Sequence, residues 1–507
     1  MIAFRLEELA GLLDGRLVLP QGTAGDTIVS GSVETDSRLV GPGSIFFALP
    51  GEVTDGHHFA LDAVAAGAAL VVCRERLDIV GPQLIVADGL EALAQLAREV
   101  VARVHARGEL RVVGITGSNG KTTTKNLLRA ILSAEGPTVA PEGSFNNQVG
   151  APISMLRIDE HTCFLIVEMG ASGAGEIARL VSIAKPDIGV VLKVGLAHAG
   201  EFGGIEATEA AKSEMVTDLP ASAVAVLNVD DERVARMRER TAARVVGFGL
   251  RADAEVRAEQ VVATVRGTAF TLVIDGARRQ VQLRILGEHH VMNALAALSV
   301  ARELGVDLDR AVAALGEVPR AERWRMELFT RDDGAIVIND AYNASPDSMA
   351  AALKTLAQLG RDENRRTIAV LGEMAELGPY AQEEHDRIGR LAVRLNIGQL
   401  VVVGDGARHI HAAAGLEGSW DGESKFVPDI EAAYDVLRDE VRPGDILLVK
   451  SSKSAGLRFL GDRLAGAGDP RDRPSRRGRV LARLHALHDP AVDPAVQAPR
   501  LGAVHPG

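Results

Sequence analysis

Aromatic side chains are scarce in this chain: Phe, Tyr and Trp make up 3% of its 507 residues. Large rings cannot dominate the packing, so the cores have to be built from Ala, Val, Leu and Ile. Cysteine occurs only at Cys73 and Cys163, both in apolar runs. That placement favours buried free thiols over a disulfide or a metal pair. No apolar run approaches the roughly 18 residues of a membrane span. Arg5, Glu7 and Glu8 put charge into the first turns, which argues against a secretory signal and makes the cytoplasm the expected compartment. Basic residues are the minority charge, giving a formal net charge of −12. Nucleic acid is therefore not expected as the main partner. With 47% hydrophobic and 24% charged residues, the composition is that of a soluble globular protein. The length suits about three domains, and no internal repeat is visible.

The most informative stretch is Val112-Val-Gly-Ile-Thr-Gly-Ser-Asn-Gly-Lys-Thr-Thr-Thr124. A short apolar run feeds a glycine turn, then a lysine and a row of threonines, then an amphipathic segment from Asn126 to Leu132. This reads as a strand, a phosphate-cradling loop and a helix start. Backbone N–H groups of Gly117, Ser118, Asn119 and Gly120 can surround an anion, and the helix N-terminus adds partial positive charge. Lys121 would reach the β- and γ-phosphates, while the Thr122 hydroxyl would sit on Mg²⁺, with Thr123 beside it. The loop is shorter than the common G-x-x-x-x-G-K-[ST], because Ile115 stands where that pattern needs glycine. An ordinary glycine turn with a surface lysine is the bland alternative. The coincidence of lysine, hydroxyls and strand–helix context weighs against it.

Strand and helix patterns alternate on both sides of this loop, which predicts α/β architecture with mostly parallel sheets. A small α/β domain is expected over 1–107, a central P-loop domain over 108–319, and a doubly wound, Rossmann-like domain over 320–466. Within the central domain, 254–286 turns to alternating, β-rich character. From 467 to 507 the composition shifts to Gly, Asp, Pro and Arg, reading as a disordered tail with a short helix at Val480 to His488.

In an open α/β sheet the carboxyl ends of the strands face the ligand crevice. Glu168 ends the apolar strand Phe164-Leu-Ile-Val-Glu168, where a carboxylate can hold Mg²⁺ rather than cap a helix. His198 follows another strand in Val194-Gly-Leu-Ala-His198; a lone histidine is more often structural than a ligand. Lys212 lies on the next helix, where a lysine is usually just solvated. An unprotonated lysine in a metal site can, however, add CO₂ and become an anionic carbamate. In the third domain, Asn339-Asp-Ala-Tyr-Asn-Ala-Ser-Pro-Asp-Ser-Met349, Gly372-Glu-Met-Ala-Glu-Leu-Gly378 and Lys450-Ser-Ser-Lys453 each end a strand. Pro346 reads as stiffening its loop, ahead of a helix from Ser348. The two lysines of the last motif read as cations where anions gather. Three polar strand ends in one domain favour a ligand-facing edge over unrelated turns.

Together these motifs resemble the Mur ligase superfamily of ATP-dependent amide-forming enzymes, over nearly the whole chain to about residue 465. Asp36-Ser-Arg38, Phe47-Ala-Leu-Pro-Gly51, Asp55-Gly-His57, Asn146-Asn147 with Gly150-Ala-Pro152, and the Asp340 and Leu371 motifs carry the likeness. The last two resemble the branch that joins D-Ala-D-Ala to UDP-MurNAc-tripeptide. No D-N-P-R motif is present, which separates the chain from ligases that add meso-diaminopimelate. The resemblance implies that Ser37, Arg38, Asp55 and His57 lie near the uridine diphosphate. It implies that Thr122 and Glu168 hold one Mg²⁺, and that Glu168, His198 and carbamylated Lys212 hold or orient a second. Asn293 would reach the adenine of ATP, and Arg325 and Asp340 would approach the nucleotide. Asn146 and Asn147 fall to the muramoyl substrate. Tyr342, Asn343 and the Glu373–Gly378 loop fall to the dipeptide. A monomer is implied.

Ser345 stands where the family often has Asn, Ser451-Ser452 where it has Gly-Ser, and Gly456-Leu457 where it has Met-Glu. Two other readings compete. A different Mur-type ligase, including folylpolyglutamate synthase, is opposed by the third-domain motifs. A P-loop ATPase that ligates nothing would leave those motifs without a purpose.

Overall fold

The alternating patterns resolve, in a computed structural model, into three α/β units; the structure describes residues 1–51, 54–196, 203–318, 323–418 and 420–466. The expected tail, the boundary at residues 319–322 and His198 lie outside the described residues.

In the first unit, β1 (Arg16–Val18), β2 (Val33–Glu34), β3 (Ile45–Phe47), β4 (Leu70–Cys73) and β5 (Gln83–Ile85) form a sheet in the order β1-β5-β4-β3-β2. Helix α1 (Gly89–His105) follows, its first turn capped by Asp88, whose carboxylate accepts the N–H groups of Leu90 and Glu91. Leu93, Leu96, Val100 and Val104 recur at helical spacing on its buried face. They join Val112, Leu165 and Val167 in one continuous apolar core. The first unit is thus packed onto the central sheet rather than tethered to it. Asp187 stitches the junction, accepting the Val112 N–H at 2.7 Å and meeting His105 Nε2 at 3.3 Å.

The central sheet contains β6 (Arg111–Thr116), β7 (Thr138–Val139), β8 (Phe164–Glu168), β9 (Ile188–Val191), β10 (Val224–Asn228), β11 (Arg244–Gly249), β12 (Val256–Thr264), β13 (Gly267–Ile274) and β14 (Ala277–Leu283). Its order is β14-β13-β12-β11-β10-β9-β6-β8-β7. The strands from β7 to β12 run parallel; β12, β13 and β14 form an antiparallel meander. The chain leaves β6 for one side of the sheet and later returns to the other. The carboxyl end of β6 is therefore a topological switch point, where a ligand crevice opens. Helices α2 (Lys121–Ser133), α3 (Glu176–Ala184), α4 (Ile205–Thr217) and α5 (His289–Glu303) pack on the two faces.

The third unit orders β15 (Glu327–Thr330), β16 (Ile336–Asn339), β17 (Thr367–Leu371), β18 (Gln399–Val403), β19 (Glu423–Val427) and β20 (Ile446–Lys450) as β15-β16-β20-β17-β18-β19. All pairings are parallel except β15 with β16. With β20 inserted between β16 and β17, the carboxyl ends of these three strands form a second crevice edge.

Three details depart from the sequence reading. The edge strands β15 and β19 carry short, half-exposed sequences without clean alternation. Pro346 is not a loop residue but the first residue of α6 (Pro346–Asp362), whose cap is Ser345. Both cysteines are free, but only Cys73 is buried; Cys163 is partly exposed at the edge of its strand.

Phe248 on β11 is fully buried among aliphatic side chains, one of few aromatic rings in the core. Phe248→Ala should destabilise the protein by about 3–5 kcal/mol, read as a lowered urea midpoint.

Candidate active site

Strand β6 delivers the chain into the phosphate loop, and two glycines turn it. Gly117 has φ 153° and Gly120 φ 88°, both in the region that favours glycine. A Cβ on Gly120 would lie 2.3 Å from Asn293 Oδ1 on α5, so a side chain there would displace Asn293. Helix α2 begins at Lys121. Lys121 folds back over the loop, its Nζ donating to Gly117 O at 2.7 Å. Burial lowers the pKa of this ammonium; Glu168 opposes the shift and the like charge of Arg325 adds to it. One expectation fails here. The Ser118 N–H does not face the anion position but donates to Lys193 O at 2.8 Å. The Ser118 side chain is bonded to the backbone of Gly195.

Parallel pairing sets Glu168 opposite Ile115, just before the loop. The buried Thr122 hydroxyl donates to its carboxylate at 3.0 Å (Oε2) and 3.2 Å (Oε1). Asn146 Nδ2 donates to Oε1 at 2.9 Å. Arg325 Nη2 reaches the Thr122 oxygen at 3.3 Å. A hydroxyl and a carboxylate touching at the phosphate loop are the hard oxygen donors that Mg²⁺ takes, and Mg²⁺ keeps several waters rather than needing an all-protein cage. The donor set fits the ion. Among the described residues no group of three His, Cys, Asp or Glu gathers as a metal site, here or elsewhere. Lys212 is buried on α4 and does not line the cavity. Burial brings its amine down to about 7, Lys121 adding to the shift and Glu214 and Glu176 opposing it.

The third unit sits directly on the loop. Tyr342 OH and Ser144 Oγ are 2.6 Å apart, Ser345 Oγ donates to Asn119 Oδ1 at 3.1 Å, and Lys193 pairs with Asp347 at 3.2 Å. The Arg325 guanidinium lies 4.2 Å from the centre of the Tyr342 ring. The Ser345 that replaces a common Asn thus both caps α6 and touches the phosphate loop.

Between the units lies a cavity of about 980 Å³. Ser118 to Thr123, Asn146, Asn147, Glu168, Asn293, Arg325, Asp340, Tyr342 and Asn343 line it, so most of the residues singled out in the sequence meet in one place. Ser37, Arg38, Asp55 and His57 do not line it. Arg38 holds Asp36 with two short bonds of 2.8 and 2.6 Å on the surface. Asp55 accepts the His57 N–H, and His57 Nδ1 lies 2.5 Å from its carboxylate. His57 Nε2 accepts the Arg74 N–H at 3.1 Å, which places the ring proton on Nδ1.

Other wall residues were not foreseen. The two lysines expected where anions gather both line the cavity, but Lys450 is buried and already paired with Asp340 at 2.6 Å, while Lys453 is exposed. Asp340 also accepts the Met326 N–H at 2.9 Å. Beside Asn293, the rings of His289 and His290 lie with their centres 4.0 Å apart, tilted by 42°. Burial lowers His289 to about 4 and holds His290 well below the ordinary imidazole value, so both rings are neutral at pH 7. Asn293 Nδ2 lies 3.2 Å from His290 Nδ1, leaving Nε2 buried without a protein partner at the cavity wall. The doublet in the sequence was the available signal.

Three family models match in succession: the Mur ligase family catalytic domain over 31–110, the Mur ligase middle domain over 115–301, and the Mur ligase glutamate ligase domain over 324–453. The chain belongs to the Mur ligase family. Among Mur ligases it is 44% identical to the UDP-N-acetylmuramoyl-tripeptide–D-alanyl-D-alanine ligase of Mycobacterium tuberculosis, over 92% of this chain and 98% of that protein. The crystal structure of MurF from Acinetobacter baumannii superposes with a TM-score of 0.82 at 30% identity, covering 92% of this chain and 99% of that one. MurF ligase from Thermotoga maritima, solved in complex with ADP, gives a TM-score of 0.74 at 26% identity, over 87% and 99%.

Because a side chain at position 120 meets both a left-handed backbone and Asn293, Gly120→Ala should weaken ATP binding at least about tenfold, measured by calorimetry, with little change in far-ultraviolet circular dichroism.

Proposed function

We infer that this chain joins D-Ala-D-Ala to UDP-MurNAc-tripeptide, with cleavage of ATP to ADP and phosphate, making the UDP-MurNAc-pentapeptide precursor of peptidoglycan. The observation that carries the reading is the shared cavity, where the phosphate loop and Glu168 of one unit face Arg325, Asp340, Tyr342 and Asn343 of another. Family membership and the relatives' common activity support it.

A carboxylate is a poor electrophile. Transfer of the γ-phosphoryl group to the tripeptide carboxylate gives ADP and an acyl phosphate. The dipeptide amine then attacks the acyl carbon, loses a proton, and phosphate leaves. The Gly117–Thr123 loop would hold the phosphates of ATP, Lys121 offsetting their charge. Asn293, next to the neutral His290, would meet the adenine. Thr122 and Glu168 would hold Mg²⁺, with His198 and a carbamylated Lys212 for a second ion. Such ions supply Lewis-acid charge stabilisation when bound. The first unit would take the UDP-muramoyl end through Ser37, Arg38, Asp55 and His57, and Asn146 and Asn147 would guide its peptide toward the cavity. Tyr342 and Asn343 would receive the dipeptide. Seating the third unit on the loop keeps water from the acyl phosphate. No helix among the described residues is long and apolar enough to cross a membrane, and we place the enzyme in the cytoplasm as a monomer.

Phosphate release from ATP and Mg²⁺ with UDP-MurNAc-tripeptide should require D-Ala-D-Ala and yield the pentapeptide. Release indifferent to the dipeptide would make the chain a bare ATPase, and activity with a single amino acid would move it to a sister ligase. Lys212→Ala should lose most activity and regain part of it with added short carboxylates; full activity without them rules out the carbamate. The neutral amine is the form that adds CO₂. With its pKa near 7, wild-type activity in bicarbonate should fall as the pH of preincubation drops through that value, whereas carboxylate-rescued Lys212→Ala should lack this step.

A further inference from the structure

The phosphate-loop helix carries a second lysine that the chemistry above leaves unused. Lys125 lies one turn beyond Lys121 on α2 and is wholly buried. Its Nζ donates to Pro141 O at 2.9 Å and to Gly143 O at 2.7 Å. Taking an ammonium out of water is costly unless acceptors meet it, so such a group is placed where it fixes something.

What it grips is an irregular segment of turns and bends between β7 and the helix Gly150–Met155. Gly143 turns the chain there with φ 59°. Immediately beyond the gripped carbonyls come the segment's cavity residues. Ser144 meets the Tyr342 hydroxyl, Asn146 donates to Glu168, and Asn147 Oδ1 accepts the Gly150 N–H at 2.8 Å. The Gly170 N–H, just past Glu168, bonds to Asn146 O at 2.8 Å. One lysine therefore ties the helix that presents Thr122 to the loop that orients Glu168.

We propose that Lys125 is a positioning residue for the metal site: by holding the carbonyls of Pro141 and Gly143 it sets Asn146 against Glu168, and so fixes the carboxylate that faces Thr122. This rests on the reading that Thr122 and Glu168 hold the ion. Groups that orient a metal ligand are worth on the order of 10–100-fold in metal affinity.

The test uses the full chain with ADP, and Mn²⁺ as a probe read by electron paramagnetic resonance. Lys125→Met and Asn146→Ala should each weaken Mn²⁺ binding about tenfold or more, while ADP binding without metal stays near the wild type. The double variant should bind no more weakly than the worse single one, because both act through one contact. Unchanged Mn²⁺ affinity in Lys125→Met, or losses that multiply in the double variant, would overturn the proposal. Should Lys125→Met not fold, Lys125→Gln is held to the same outcomes. A wild type that retains no Mn²⁺ with ADP would instead sink the metal reading, and this inference with it.

Discussion

The register that places Glu168 opposite Ile115 governs the rest of the cavity. Because β8 lies next to β6 and runs parallel to it, the carboxylate emerges at the level where the phosphate loop turns into α2. The buried Thr122 hydroxyl then has one acidic neighbour within reach, and Asn146 and Arg325 complete a shell around that pair. A slip of one residue in β8 would send Glu168 to the other face of the sheet, into apolar side chains.

The three units are joined in two different ways. The first shares a continuous apolar core with one face of the central sheet. The third meets the central unit largely through single polar contacts, Ser144–Tyr342, Asn119–Ser345 and Lys193–Asp347, with Leu286 reaching into its core. Polar seams of this kind permit relative motion between domains, while shared cores do not. The part of the cavity wall that can move is therefore the part assigned to the incoming dipeptide.

Much of this was legible because the chemistry needs unusual residues in fixed places. A glycine turn followed by lysine and threonines has few other uses, and an acid at the end of an apolar strand stands out. The third unit's crevice motifs declared themselves in the same way. What stayed hidden depends on contacts across the fold. Lys450 read as a cation for an incoming anion, but Asp340 already pairs with it, and the Ser118 amide looked available until Lys193 took it. Lys125 sits in a run of threonines, and nothing local says that it is buried. The strands β15 and β19 were missed because edge strands need only half an apolar face.

The close approach of Gly120 to Asn293 joins two positions that lie far apart in the chain. A side chain at 120 meets the left-handed backbone as well as Asn293, and a smaller residue at 293 gives up the contact that packs α5 against α2 through Thr124. Position 120 is therefore held as glycine by its own backbone whatever stands at 293. An inhibitor wedged against both would therefore face few single-step routes to resistance.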